Sequence, residues 1–131
     1  MILEDIAKLI EDQEIATMGT TLFSGELPLD FPNSTAMIYS PSPEPDKSLE
    51  VYEMTIDFWN RNRNSENGFE ILKSIMDFLH RKQNYETQNY HIYLSYALGM
   101  IEDLDRDSER RKLYKLSMRF IYRELQEEEM S

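Results

Sequence analysis

Three stretches of this chain alternate between apolar and polar residues, and this alternation constrains the fold more than any other feature of the sequence. They lie at 49–60, 91–101 and 112–123. A period of two is typical of β-strands that are buried on one face only. The apolar rows are Tyr52, Met54, Ile56 and Phe58 in the first stretch, Ile92, Leu94, Tyr96, Leu98 and Met100 in the second, and Tyr114, Leu116, Met118, Phe120 and Tyr122 in the third. A sheet with one apolar face needs a second layer to cover it.

Two stretches with helical periodicity can supply that layer. Apolar residues recur at spacings of three and four, which predicts amphipathic helices over 2–12 and 66–82. Asn64 or Ser65 can cap the second helix, because its side-chain oxygen can accept a hydrogen bond from the first turn. The apolar positions are Ile2, Leu3, Ile6, Leu9 and Ile10 in the first helix, and Phe69, Leu72, Ile75, Met76 and Leu79 in the second.

The order of these elements predicts an α+β fold: an antiparallel sheet with two helices packed on one face and a long C-terminal hairpin. Short β-prone segments at 20–23 and 35–39 add to the sheet. Residues 83–89 are expected to form a polar connection. The polar residues 102–110 are expected to form the loop that joins the last two long strands.

The chain has 131 residues, which fits a single domain. We expect that domain to cover 1–123 and to be followed by an acidic flexible tail at 124–131. The first residues are too acidic for a secretory signal, and no apolar run is long enough for a membrane helix.

The chain is strongly acidic, with a net charge of −11 from 14 Lys and Arg against 25 Asp and Glu. This charge disfavours binding to the phosphates of nucleic acids. Residues 1–60 carry two bases and twelve acids, whereas residues 61–131 carry twelve bases and thirteen acids. Such asymmetry suits contacts between copies of the chain, although an acidic surface also simply maintains solubility.

Few residues are suited to catalysis or to metal binding. The chain has no Cys, which excludes disulfides and thiol chemistry. His80 and His91 lack partners at the spacing of a metal site or of a nucleophile and its base. Residues 103–107 begin like a calcium loop, but Ser108 and Tyr114 replace the required glycine and glutamate. We therefore expect no catalytic residue, no metal and no cofactor.

Other residues are suited to contact a second protein. Trp59 lies on the polar face of its strand and can anchor an interface, although packing under a neighbouring loop explains it equally well. A basic row on the last strand suits contact with an acidic surface, or is an ordinary solvated face. Residues 40–47 form a proline-rich loop that suggests a binding element or a loose connection. The candidate interface residues are Trp59, Lys115, Arg119, Arg123, Pro41, Pro43, Pro45 and Tyr93.

The sequence of elements also resembles a known family. An amphipathic helix is followed by Leu22-Phe23-Ser24-Gly25-Glu26-Leu27-Pro28, a strand, a loop, the long strand 49–60, the helix 66–82 and a hairpin that ends in Phe120-Ile121-Tyr122-Arg123. This order resembles the tail terminator proteins of long-tailed bacteriophages, also described as minor capsid or tail-completion proteins. The likeness covers most of the chain and rests on architecture rather than on invariant residues.

The resemblance implies a structural virion protein and not an enzyme. It implies a ring, usually of six copies, that caps the tail tube, stops tube polymerisation and joins the head connector. The implied partners are further copies of the chain, the tail tube protein and a head-completion or connector protein. DNA passes through such a ring without specific binding, and no membrane is involved. The implied location is the head-proximal end of the virion tail, after assembly in the host bacterial cytoplasm.

Two other classes of function remain open at the level of the sequence. One is a small acidic adaptor or inhibitor that binds a basic protein one to one. The other is an enzyme whose site is assembled from scattered carboxylates.

Overall fold

The computed structural model describes residues 2–25, 33–39, 51–106 and 111–125. These ranges contain two helices and seven strands. In chain order the elements are α1 (Ile2–Asp12), β1 (Leu22–Ser24), β2 (Ser34–Tyr39), β3 (Tyr52–Asn62), α2 (Ser65–Leu79), β4 (Lys82–Glu86), β5 (Tyr90–Ala97), β6 (Glu102–Arg106) and β7 (Lys112–Glu124).

The described strands form one sheet with the order β1-β2-β3-β7-β5-β4, and β6 also pairs with β7. Neighbouring strands are antiparallel except β1 and β2, which run parallel. β7 is central because it pairs with β3 along one edge and with β5 and β6 along the other. The register places Ile56 opposite Met118 and Phe58 opposite Leu116. Two of the predicted apolar rows therefore share one face of the sheet.

Both helices pack against that side of the sheet, which we call the inner face. α1 contacts β1 and β2, whereas α2 contacts β3, β5 and β7. Burial of a side chain as large as Phe or Leu contributes about 1.5–3 kcal/mol, so hydrophobic stabilisation concentrates in this layer. The predicted α+β fold is confirmed. Its largest fully buried side chains are Ile6, Ile10, Leu22, Met37, Ile56, Phe58, Leu72, Ile75, Leu79, Ile92, Leu116 and Phe120.

A buried carboxylate joins α1 to the turn between β4 and β5. Asp5 is only 8% exposed. Its Oδ2 accepts hydrogen bonds from Thr87 Oγ1 at 2.9 Å and from the backbone N of Asn89 at 3.0 Å. Hydrogen bonds to an ionised group are stronger than neutral ones. Asp5 therefore holds the first helix against a turn more than 80 residues later in the chain.

The predicted start of α2 is confirmed, but its predicted end at Lys82 is wrong. Asn64 caps the helix, since its Oδ1 accepts a hydrogen bond from the backbone N of Asn67 at 3.2 Å. The helix ends at Leu79 because His80 adopts an extended backbone with ψ 126°. Arg81 follows in the left-handed region with φ 61°, which turns the chain back along the sheet.

The expected polar connection at 83–89 is largely a strand instead. β4 begins at Lys82 and pairs antiparallel with β5. It is an edge strand of the described sheet, so most of its polar side chains remain in water. An edge strand of this kind lacks the apolar alternation by which the sequence analysis predicts strands.

A β-bulge changes which residues of β5 face the core. The pairing of β5 with β7 shifts register between Ile92 and Leu94. Ile92 is fully buried on the inner face, and beyond the bulge Ser95 takes the next fully buried position. Leu94 and Tyr96 consequently face the opposite side. The prediction of a continuous inner row from Ile92 onward is wrong, because one added residue moves each later side chain to the other face.

The long C-terminal hairpin is present. Its first arm consists of two strands, β5 and β6, and its second arm is β7. β7 pairs with β5 as predicted, but residues 102–106 are not part of a loop. They form β6, which pairs with the first part of β7 through Glu102 opposite Lys115 and Asp103 opposite Tyr114. Apolar alternation does not predict this strand, because its residues are mostly acidic.

Candidate interaction surfaces

The side of the sheet that faces away from the helices, which we call the outer face, carries four of the eight predicted interface residues. The register places Trp59 beside Lys115 and Thr55 beside Arg119. Arg123 lies further along β7, opposite His91 of β5. The structure therefore brings Trp59, Lys115, Arg119 and Arg123 onto one face, as the alternation predicts.

Trp59 is half-buried rather than fully projecting. The Nζ atom of Lys115 lies 5.3 Å from the centroid of its ring. A cation–π contact of this kind contributes about 0.5–1 kcal/mol at an exposed site. On the other side Trp59 pairs with Ala36 of β2, which is fully buried. The indole is therefore held within the outer face by its own chain.

The basic row of β7 is balanced by acids of β3. Lys115 Nζ lies 3.9 Å from Asp57 Oδ2, and Ser117 Oγ donates to Asp57 Oδ1 at 2.7 Å. An Arg119 guanidinium nitrogen lies 3.8 Å from Glu53 Oε1. An exposed pair such as the latter contributes only ~0–1 kcal/mol. The basic row is thus part of a neutralised, partly solvated face.

A second polar group lies at the start of β5. His91 Nδ1 is 3.6 Å from Glu86 Oε2, and the rings of His91 and Tyr93 are 4.9 Å apart in an edge-to-face arrangement. Arg123 donates to the backbone oxygen of Glu124 at 3.3 Å. Tyr93 is 37% exposed, so the candidate tyrosine does present its ring to solvent.

The sequence analysis missed the outward apolar residues of β5 and of the bend that follows it. The bulge directs Leu94 and Tyr96 to the outer face, where both are half-buried. In the bend, Leu98 is 45% exposed and Met100 is 89% exposed. The bulge involves Tyr93 and no glycine marks it, so the sequence offers no local signal for it.

An acidic groove lies between α1 and the turn that joins β4 to β5. Its volume is about 440 Å³. Its acidic lining includes Glu4, Asp12 and Glu86, and its apolar lining includes Leu9 and Met18. The sequence analysis did not predict this groove, because the turn and α1 are far apart in the chain.

Lys8 also lines the groove and pairs with one acid of the lining, Asp12. Its Nζ lies 3.2 Å from Asp12 Oδ1 and 3.6 Å from Glu11 Oε1. The hydrogen bond and the charge of Asp12 raise the pKa of Lys8 above its usual value. The lysine therefore remains protonated and paired with its own helix, and the other charged groups of the lining are acids.

A partly buried pair of hydroxyl groups supports β4 against the core. Tyr85 donates to Ser95 Oγ at 2.8 Å, and Ser95 Oγ donates to the backbone oxygen of Leu79 at 2.6 Å. Burial raises the pKa of Tyr85 to about 12. These bonds satisfy the polar Ser95, which the bulge places in the core.

Some predictions fall on other parts of the chain. Pro41, Pro43, Pro45 and residues 126–131 of the predicted tail 124–131 lie outside the described residues, whereas Glu124 is the last residue of β7. Within the described ranges, no group of three or more His, Asp or Glu side chains could hold a metal ion. The same ranges contain no helix that is long and apolar enough to cross a membrane.

Comparison with known proteins identifies the family. The family model described as bacteriophage tail terminator protein matches residues 9–124. This range begins within α1, ends at the last residue of β7 and includes the outer face. It includes part of the groove, because Glu4, Asp5 and Lys8 of the lining precede residue 9. A search of curated proteins finds no match to the chain. The match extends over far more than half of the sequence, and the chain therefore belongs to the bacteriophage tail terminator protein family.

Proposed function

We propose that this protein forms a ring at the head-proximal end of the phage tail tube. The ring, of six copies as the family resemblance implies, stops polymerisation of the tube and presents a surface to the head connector. The observation that carries the proposal is the family match over residues 9–124, which makes the protein a structural component of the tail. Its partners are copies of itself, the tail tube protein and a head-completion protein.

The surfaces of the subunit support this role. A ring is built from heterologous contacts, in which each subunit uses one surface toward one neighbour and a different surface toward the other. The outer face and the acidic groove are two such unlike surfaces. The outer face combines apolar side chains with paired charges, which is the usual composition of a protein interface with a polar rim.

The charge of the protein suits the passage of DNA. A net charge of −11 repels phosphates, so DNA crosses the ring without binding to it. The partners of this protein are therefore proteins.

Phage assembly without this protein tests the proposal. Tails that lack the ring are expected to have excess or irregular length and to fail to join filled heads. Complementation with the wild-type protein is the control and should restore both properties. Tails of normal length that join heads in its absence would rule out the role and would favour a one-to-one adaptor.

A further inference from the structure

We infer that the bend between β5 and β6 of one subunit docks in the acidic groove of the next copy of this chain. This inference rests on the proposed ring, since it names the contact that closes the ring. The bend, which we call the prong, consists of residues 98–100 together with the neighbouring Arg81. The groove is the cavity between α1 and the turn that joins β4 to β5.

The prong is strongly apolar for an exposed segment. Met100 is 89% exposed and Leu98 is 45% exposed. Each exposes apolar surface that contact with another protein would remove from water. A methionine side chain is also flexible enough to fill an irregular cavity.

The base of the prong is held in place by hydrogen bonds. The backbone N of Leu98 donates to the oxygen of Ser117 at 2.9 Å. The backbone N of Ala97 donates to Nδ1 of His80 at 2.9 Å. A segment that is already ordered loses less entropy on binding. The exposed side chains are therefore presented by a fixed backbone.

The prong also includes a cation, Arg81. Arg81 follows His80, which is bonded to the base of the prong, and Arg81 is exposed. It makes no ion pair with any residue in the described ranges. The prong thus offers two apolar side chains and an available positive charge.

The groove complements the prong in charge and in size. Its four acids outnumber its one base, Lys8, and this excess of negative charge suits the guanidinium of Arg81. Its apolar residues Leu9 and Met18 suit the side chains of the prong. A volume of about 440 Å³ lies within the range of ~300–1,000 Å³ that is typical of binding pockets. It can therefore accept several side chains.

The positions of prong and groove favour a second copy as the occupant. Glu86 pairs with His91 at the start of β5, whereas Lys82 pairs with Ser95 near its end. The groove and the prong therefore lie at opposite ends of one strand, about 20–25 Å apart at ~3.3 Å per residue. A prong cannot reach the groove of its own subunit. Complementary surfaces at opposite ends are the arrangement that a head-to-tail ring requires.

Cysteine cross-linking in assembled tails tests the contact. The natural chain has no Cys, so introduced thiols react without background. The test variant is Met18→Cys/Met100→Cys, which places one thiol in the groove and one on the prong. The matched control is Phe69→Cys/Met100→Cys, because Phe69 is similarly exposed at 37% but lies on α2. Tails from a phage complemented with each variant are oxidised mildly and analysed on a non-reducing gel.

The expected result is a ladder of covalent multimers for Met18→Cys/Met100→Cys only, because a disulfide needs Cα atoms within ~4.4–6.8 Å. Tails of normal length that give no such ladder overturn the inference and leave the ring intact. A cross-link to a different protein overturns it as well. By contrast, normal tails formed without any copy of this protein contradict the proposed function itself.

Charge reversal is a second test of the contact that does not depend on thiol chemistry. Arg81→Glu and Glu86→Arg each place like charges at the contact, and each is expected to lower the yield of head-joined tails on the order of tenfold. The combined variant restores opposite charges and should recover most of the yield. Circular dichroism checks that each variant is folded. Folded single variants with wild-type yield, or a folded double variant without recovery, overturn the inference.

Discussion

The close approach of α2 to β3 is expected to make Gly68→Ala destabilising, although alanine is normally the better residue in a helix. A Cβ atom at Gly68 would lie 2.6 Å from Asn60 Oδ1 and 3.1 Å from Asn62 Cβ. Asn60 is fully buried and Asn62 is 3% exposed. Asn60 is also held by its Nδ2, which donates to Thr35 Oγ1 at 2.9 Å. The side chains of Asn60 and Asn62 therefore cannot move into solvent to make room for the added Cβ atom.

The expected magnitude follows from opposing terms. Replacement of Gly by Ala within a helix stabilises by up to about 1 kcal/mol. Overpacking of a buried contact costs about 1–3 kcal/mol. Displacement of Asn60 also weakens its hydrogen bond to Thr35, which costs about 0.5–1.5 kcal/mol. The net loss in the free energy of unfolding is therefore expected to be about 1–3 kcal/mol.

Urea denaturation measures this loss as a lower midpoint with an unchanged slope. Gly99→Ala is the matched control, because a Cβ atom there meets no described atom within 4 Å. It should leave the midpoint nearly unchanged. The double variant Asn60→Ala/Gly68→Ala should be more stable than the sum of the two single effects predicts, since it removes the clash. A Gly68→Ala protein as stable as the wild type would refute the reasoning.

Three further predictions concern the core, the partly buried Tyr85 and the outer face. Met118→Asp should leave the domain unfolded by circular dichroism, because Met118 is fully buried and an unpaired charge there costs several kcal/mol; a cooperative thermal transition near that of the wild type would contradict this. Tyr85 has a pKa raised from 10.0 to about 12, so its neutral form stabilises the fold below pH 10 and this contribution is lost as the pH rises toward 12. In urea titrations across that window, Tyr85→Phe should lose less stability than the wild type, and equal losses would count against the assignment. The double reversal Arg119→Glu/Arg123→Glu should lower the yield of head-joined tails while the free energy of unfolding falls by only about 1 kcal/mol, because the Arg119–Glu53 pair is exposed. Unchanged yield would exclude this part of the outer face as a contact.

The architecture could be predicted from the sequence where a long element has one apolar face. β3 and β7 combine period-two alternation with a register that places Ile56 opposite Met118, so burial follows the pattern. The capping position of Asn64 was also readable, because its chemistry is local. These features can be predicted from the sequence because capping depends on neighbouring residues and burial of a strand depends on a whole apolar face.

The remaining features depend on contacts that no single stretch of sequence reports. β4 and β6 are polar strands that exist because a neighbouring strand supplies hydrogen bonds. The bulge of β5 turns Leu94 outward and Ser95 inward, which reverses the expected row. The acidic groove requires α1 to meet a turn more than 80 residues away, through the hydrogen bonds of Asp5. These are properties of the tertiary structure and carry no periodic signal.

The central claim, that this protein ends the tail tube as a ring, is tested most directly by tube growth in vitro. The cognate tail tube protein is polymerised with and without this protein, and tube lengths and ends are recorded by electron microscopy. The claim predicts shorter tubes with a ring of density at one end, in proportion to the protein added, and no such effect from Met118→Asp. Tubes of unchanged length with no density at either end would contradict it.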